Sequence, residues 1–173
     1  VSKARRWAST EGVQRRILDA ARDVFHRQGF NDATIADITA AAGCSIGSIY
    51  HHFGGKNELF QALSDRAVVL VEAEIDENDW ERSLLWASWR HRFDLSVLMN
   101  PFNRPTDYPP AGRSLVLERL GGGGLHERAQ MALMREATLV LIETDTEAEA
   151  ARVIESTVQW VDLVRAIQPR IEF

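Results

Sequence analysis

Between Thr34 and Leu59 the chain reads TIADITAAAGCSIGSIYHHFGGKNEL, a stretch whose Thr, Ser, Tyr, His and Lys residues suit hydrogen bonding to a partner. They do not suit catalysis. No Ser-His-Asp or Cys-His arrangement assembles, and His91 and His126 stand isolated in the sequence, as structural histidines do. His51 and His52 are neighbours that diverge by about 100° on a helix, so they form no metal pair. We therefore expect no enzyme, no metal and no cofactor. The single cysteine, Cys44, permits no internal disulfide and reads as a small turn residue.

The elements that must position these residues are short helices. Thr34 suits an N-cap, Asp37 sits near the positive helix start, and Ile35, Ile38 and Ala42 follow at helical spacing before Gly43 stops the helix. After the turn Gly43-Cys44-Ser45 a second helix runs to Phe53, with Ile49 and Phe53 one turn apart and able to pack on the first. Two short helices around so tight a glycine turn make a helix-turn-helix, whose second helix enters the DNA major groove. Duplex DNA is the partner this pattern implies. Ser45, Gly47, Ser48, Tyr50 and His51 then form an outward face of short or amphipathic side chains. Tyr50, His51 and Lys56 are placed to reach phosphates.

Here the sequence resembles the TetR family of bacterial transcriptional regulators, through Thr34, Ile38, Ala42, Gly43, Ser45, Gly47, Tyr50, His52, Phe53, Lys56 and Leu59 in register. The preceding VQRRILDAARDVFHRQGF is similar to the family's first helix, and the resemblance covers Val13 to Leu63. It implies an all-α fold: an N-terminal three-helix helix-turn-helix DNA-binding domain plus a C-terminal helical ligand-binding and dimerisation domain. It also implies DNA contacts from Thr34, Ser45, Gly47, Ser48, Tyr50, His51 and Lys56. Two positions depart from the pattern. Ile46 stands where the family often has lysine, so a phosphate contact is lost or an apolar contact to a thymine methyl is gained, and Ile46 joins the DNA-binding set. Gly55 replaces a frequent capping residue, and glycine is a tolerable N-cap.

The net charge of −5 over 173 residues argues against a nucleic-acid binder until the chain is divided. Residues 1–60 carry +2 and the remainder −7, which makes the N-terminal end the footprint. Lys3, Arg5 and Arg6 read as a basic arm ahead of a first helix over Glu11 to Gln28. No run approaches the roughly 20 apolar residues of a membrane span and no signal peptide is visible, so a cytoplasmic protein without membrane contact is expected. The chain opens at Val1 rather than methionine, as a fragment of a longer chain would.

The boundary is placed at 60/61, with 61–173 as an effector-binding and dimerisation domain. A helix from Lys56 to Asp76 joins the two cores. Asn78 and Glu81 read as a capping box for one helix reaching Met99, apolar on nearly every face and therefore central. The prolines of Asn100–Gly112 predict a loop, followed by a short helix over Arg113–Leu120 and a hinge at Gly121–Gly124. Two long helices follow, His126 to Ile142 and Glu147 to Ile167, the second with a Thr146/Glu149 capping box. By resemblance this region encloses a small-molecule effector, with Trp86, Trp89, Arg90, Phe93, Met131 and Met134 as candidates. The last two helices would pair with their copies in a homodimer through Val153, Thr157, Val158, Trp160, Val161 and Val164. The function expected is a repressor released from a palindromic operator by an apolar or aromatic effector. The alternative is a DNA-binding protein whose second domain binds a protein instead.

Overall fold

The structure, a computed structural model, describes residues 3–99, 105 and 125–166. Among these residues it holds eight helices and no strand: α1 (Lys3–Gln28), α2 (Ile35–Ala42), α3 (Ile46–His52), α4 (Lys56–Glu72), α5 (Trp80–Arg90), α6 (Arg92–Met99), α7 (Leu125–Ile142) and α8 (Glu147–Ala166). The chain divides into two units, Val1–Ala67 with Ser96–Tyr108 and Val68–Leu95 with Pro109–Phe173. The divisions at 67/68 and 95/96 fall inside helices, α4 and α6. The proline loop, the Arg113–Leu120 helix and the glycine hinge expected from sequence lie outside the described residues.

In the first unit α1 begins well before Glu11, so the backbone of Lys3, Arg5 and Arg6 is helical and forms no extended arm. No proline interrupts this stretch, and Ala4 and Ala8 favour a helix. The stripe of Ile17, Ala21, Val24 and Phe25 is buried, as its spacing requires. Beyond Gly29 the chain returns Phe30 to the core, where Phe25, Phe30 and Phe60 pack with ring centroids 5.1 to 6.0 Å apart. Ile38 of α2, Ile49 of α3 and Leu59 and Leu63 of α4 complete that core. Each such fully buried side chain contributes about 2 kcal/mol, and together they fix the angle at which α3 leaves α2.

In the second unit α5, α7 and α8 pack around Trp80, Leu84, Leu85, Met134, Leu141 and Ile154. Thr146 caps α8: Glu149 N donates to Thr146 Oγ1 at 3.3 Å and Thr146 Oγ1 donates to Glu149 Oε2 at 2.9 Å, so the hydroxyl half of the expected capping box forms. The expected single helix from Asn78 to Met99 does not. It starts after Asp79, with no side-chain cap bond, and breaks at His91 into α5 and α6. Asn78 instead donates from N and Nδ2 to Asp76 Oδ1, while Glu81 pairs with Arg165. At the break, Glu74 accepts from Arg90 and interacts with His91 Nε2 at 2.8 Å. Burial pushes the Glu74 carboxyl up, but these hydrogen bonds and charges outweigh it and hold it below the usual carboxylate range.

Candidate nucleic-acid interface

The site is set by caps. At the start of α2, Thr34 N and Oγ1 donate to Asp37 Oδ2 at 3.0 and 2.6 Å, and Asp37 N donates back to Thr34 Oγ1 at 3.2 Å. These bonds hold the Asp37 carboxyl below its ordinary pKa. Thr34 is thus a capping residue first, although its hydroxyl stays exposed and keeps a lone pair for a partner. Gly43 closes α2 at φ +61°, a left-handed conformation that side-chain-bearing residues adopt only with strain. Its turn aims Ser45, whose Oγ caps α3 by accepting from Ser48 N at 3.2 Å.

Around α3 the side chains sort by direction. Ile49 is fully buried, His52 and Phe53 are half-buried, and Ile46, Gly47, Tyr50 and His51 are exposed together with Ser45. Ser48 is half-buried beside them. The structure therefore brings Ser45, Ile46, Gly47, Ser48, Tyr50 and His51 onto one short helix and its cap, largely open to a partner. His51 and His52 lie edge to face with ring centroids 5.0 Å apart, His52 on the less exposed side.

Lys56 is a correction. Its Nζ donates to the carbonyl oxygens of Phe30, Asn31 and Ala33 at 2.8, 3.3 and 3.0 Å and sits 4.5 Å from the Phe30 ring centroid. All three ammonium protons have acceptors inside the chain. The lysine fastens the loop after α1 to the start of α4 instead of reaching for phosphate. Gly55 serves as the cap of α4, with Leu59 N donating to its carbonyl oxygen at 3.0 Å. A Cβ on Gly55 would stand 2.9 Å from Glu58 Oε2, so the carboxylate folds over the space that a capping side chain would occupy.

The effector candidates do not share one environment. Trp86 and Trp89 pack edge to face at 5.7 Å against the core of the second unit, and Trp89 Nε1 donates to Thr144 O at 3.1 Å. Arg90 is paired with Glu74, and Met131 is half-buried on α7. Met134 is only 3% exposed, within the chain's own core. Phe93 is 55% exposed, because the break at His91 takes it off the buried register of α5. A polar cleft of about 260 Å³ does occur in the first unit, between the α1 terminus (His26, Arg27, Gln28) and Ser96 and Val97, and none of the six candidates lines it.

The dimer candidates divide as well. Thr157 and Val161 face the chain's own core, and Thr157 Oγ1 donates to Val153 O. Val153 and Val158 pack partly against that core, and Val164 is half-buried. Trp160 is exposed, joined by Val140 of α7 and by Leu163 one turn on, the last of which the apolar periodicity did not single out.

A tight two-helix element with its second helix open to a partner defines the class: a helix-turn-helix domain. Residues 17–63 match the model of the family described as bacterial regulatory proteins, tetR family. The transcriptional regulator SrpR of Pseudomonas putida is 46% identical over 56 residues, which are 32% of this chain and 26% of SrpR. The transcriptional repressor AcnR of Corynebacterium efficiens is 39% identical over 62 residues, 36% of this chain and 33% of AcnR. The chain thus spans about a quarter to a third of these relatives' length. Beyond that segment the likeness is one of fold. NalD of Pseudomonas aeruginosa, the secondary repressor of the MexAB-OprM multidrug efflux pump, superposes with a TM-score of 0.59 at 20% identity, covering 86% of this chain and 96% of NalD. Residues 17–63 are thus similar to the N-terminal domain of the TetR family. Among the described residues no helix is long and apolar enough to cross a membrane.

Proposed function

We propose that the protein is a sequence-specific transcriptional repressor that binds a palindromic operator as a homodimer. The observation that carries this reading is the open face of α3, where Ser45, Ile46, Gly47, Ser48, Tyr50 and His51 stand clear of the core. Ser45 and Ser48 offer donors and acceptors to base edges, and the Tyr50 hydroxyl reaches phosphate. Two copies of α3 must stand about 34 Å apart to enter successive major grooves. We place the dimer contact on the exposed side of α8, around Trp160, Leu163 and Val164 with Val153. Repression is assigned because the matched AcnR carries that name.

Release is assigned to a small, mostly apolar effector held by the second unit beside Trp86 and Trp89. Such an effector weakens operator binding only by its differential affinity for the two dimer geometries, typically 1–3 kcal/mol. The test begins with selection of duplexes from a random pool. An enriched palindrome with half-sites about 10 base pairs apart supports the reading, and no enrichment overturns it. Thermal-shift screening of small apolar compounds tests the effector, since a ligand at 100 times its Kd adds about 2.7 kcal/mol to folded-state stability. A hit that leaves operator affinity unchanged would transfer release to a protein partner.

A further inference from the structure

We infer that Ile46 is the specificity-determining residue of this interface and that it reads the C5-methyl group of a thymine in each half-site; this rests on the proposed binding of duplex DNA. In the first unit the described large apolar side chains left exposed are Ile46, at 53%, and Tyr50, at 55%. They lie one helical turn apart on the same side of α3, while Ile49 is the fully buried residue of that helix. More than half of each exposed side chain is open to a partner.

Gly47 points the same way. Its backbone is not left-handed, and a Cβ built there meets nothing nearer than Ser45 Oγ at 3.9 Å. The fold has room for alanine, and glycine is among the poorest helix formers. Inside the chain nothing calls for this glycine. Against a partner that comes close to the backbone between Ile46 and Tyr50 it is required, because a methyl group at this position would hold that partner off. Ile46, Gly47 and Tyr50 together make an apolar strip with a step in it, flanked by the Ser45 hydroxyl and the His51 ring.

Among base edges in the major groove, the thymine C5-methyl is the apolar group that such a strip can cover. Isoleucine facing an adenine, guanine or cytosine edge would strip water from donors or acceptors and return no hydrogen bond. Facing a phosphate, it would gain nothing. The strip therefore rewards thymine and penalises the alternatives. The charge division of the chain, +2 over residues 1–60 and −7 beyond, brings the polyanion to this end.

The experiment uses a duplex enriched from a random pool by the full chain, in which each thymine is replaced singly by uracil. That exchange removes one methyl group and keeps every hydrogen bond. Wild-type protein should lose about fourfold in affinity at one thymine per half-site, the increment of a single buried methyl group. Ile46→Ala, which carries the change into both half-sites, should weaken the parent duplex by about 16-fold and become indifferent to uracil at that position alone. Its melting temperature should stay close to wild type, because Ile46 is more than half exposed. If wild type binds the enriched duplex with no methyl dependence, or Ile46→Ala keeps the same dependence, the inference is wrong. If no duplex is enriched, the reading beneath it has failed, and the two failures are distinct.

Discussion

Lys56 shows how a residue type can be right for one task and employed in another. A lysine at the start of a helix following a helix-turn-helix suits a phosphate, yet its ammonium group is spent on the carbonyl oxygens of Phe30, Asn31 and Ala33. Those acceptors are backbone atoms more than twenty residues earlier, and a backbone carbonyl leaves no mark in a sequence. Lys56→Met should therefore lower the stability of the first unit by about 2 kcal/mol, the worth of a charged hydrogen bond. It should leave the salt dependence of DNA binding unchanged. Urea denaturation and affinity measured across salt concentrations check both halves; a slope shallower by about 0.9 per half-site would return Lys56 to the phosphates. Tyr50→Phe should do the opposite. It removes an exposed hydroxyl, so stability should hold while affinity for all duplexes falls by a common factor of about five. Its salt slope should stay the same, since the phenol is neutral.

Caps and breaks carry the same lesson to the scale of the element. The caps at Thr34/Asp37 and Thr146/Glu149 close within four residues, the first as a full box and the second through the Thr146 hydroxyl, and each threonine cap is legible in sequence. The Asn78/Glu81 pair has the same spacing and fails, because Asp76 takes Asn78 and Arg165 takes Glu81. The break at His91 is invisible to periodicity for a related reason: its hydrogen-bonding partner Glu74 lies outside the helix that the pattern describes. The residues that share an open face on α3 are legible because a seven-residue helix fixes its own directions. Thr34→Ala should cost about 1 kcal/mol. Asp37→Ala should show a pH signature. The folded-state pKa of Asp37 is lowered, so its contribution is complete above the unfolded value of about 3.9 and fades as pH falls through the lower folded value. Urea midpoints of wild type and Asp37→Ala should differ at neutral pH and converge toward pH 2.

For the whole molecule, the division of α8 into an inner and an outer face decides which of its residues the proposed dimer can use. Apolar spacing alone gave Val161 and Trp160 equal standing as contact residues, but Val161 is 1% exposed and Trp160 55%. Val161→Asp should unfold the second unit, because an unpaired charge in its core costs several kcal/mol. Trp160→Glu should leave the melting curve of the monomer intact and shift sedimentation from dimer to monomer. Operator affinity should fall with it, since one half-site offers few contacts. If Trp160→Glu still sediments as a dimer, the contact lies elsewhere.

The clamp at Lys56 also gives the protein an internal clock. Lys3 and Lys56 are the only lysines of its 173 residues. An amine-acylating reagent can modify Lys56 only after the ammonium has left its three carbonyls and shed its proton. With reagent dilute and reclosing fast, the labelling rate at that one side chain reports how often the first unit opens. Mass spectrometry would resolve it from Lys3 in a single digest. Any compound or duplex that steadies the start of α4 would then announce itself as slower chemistry at a site it never touches.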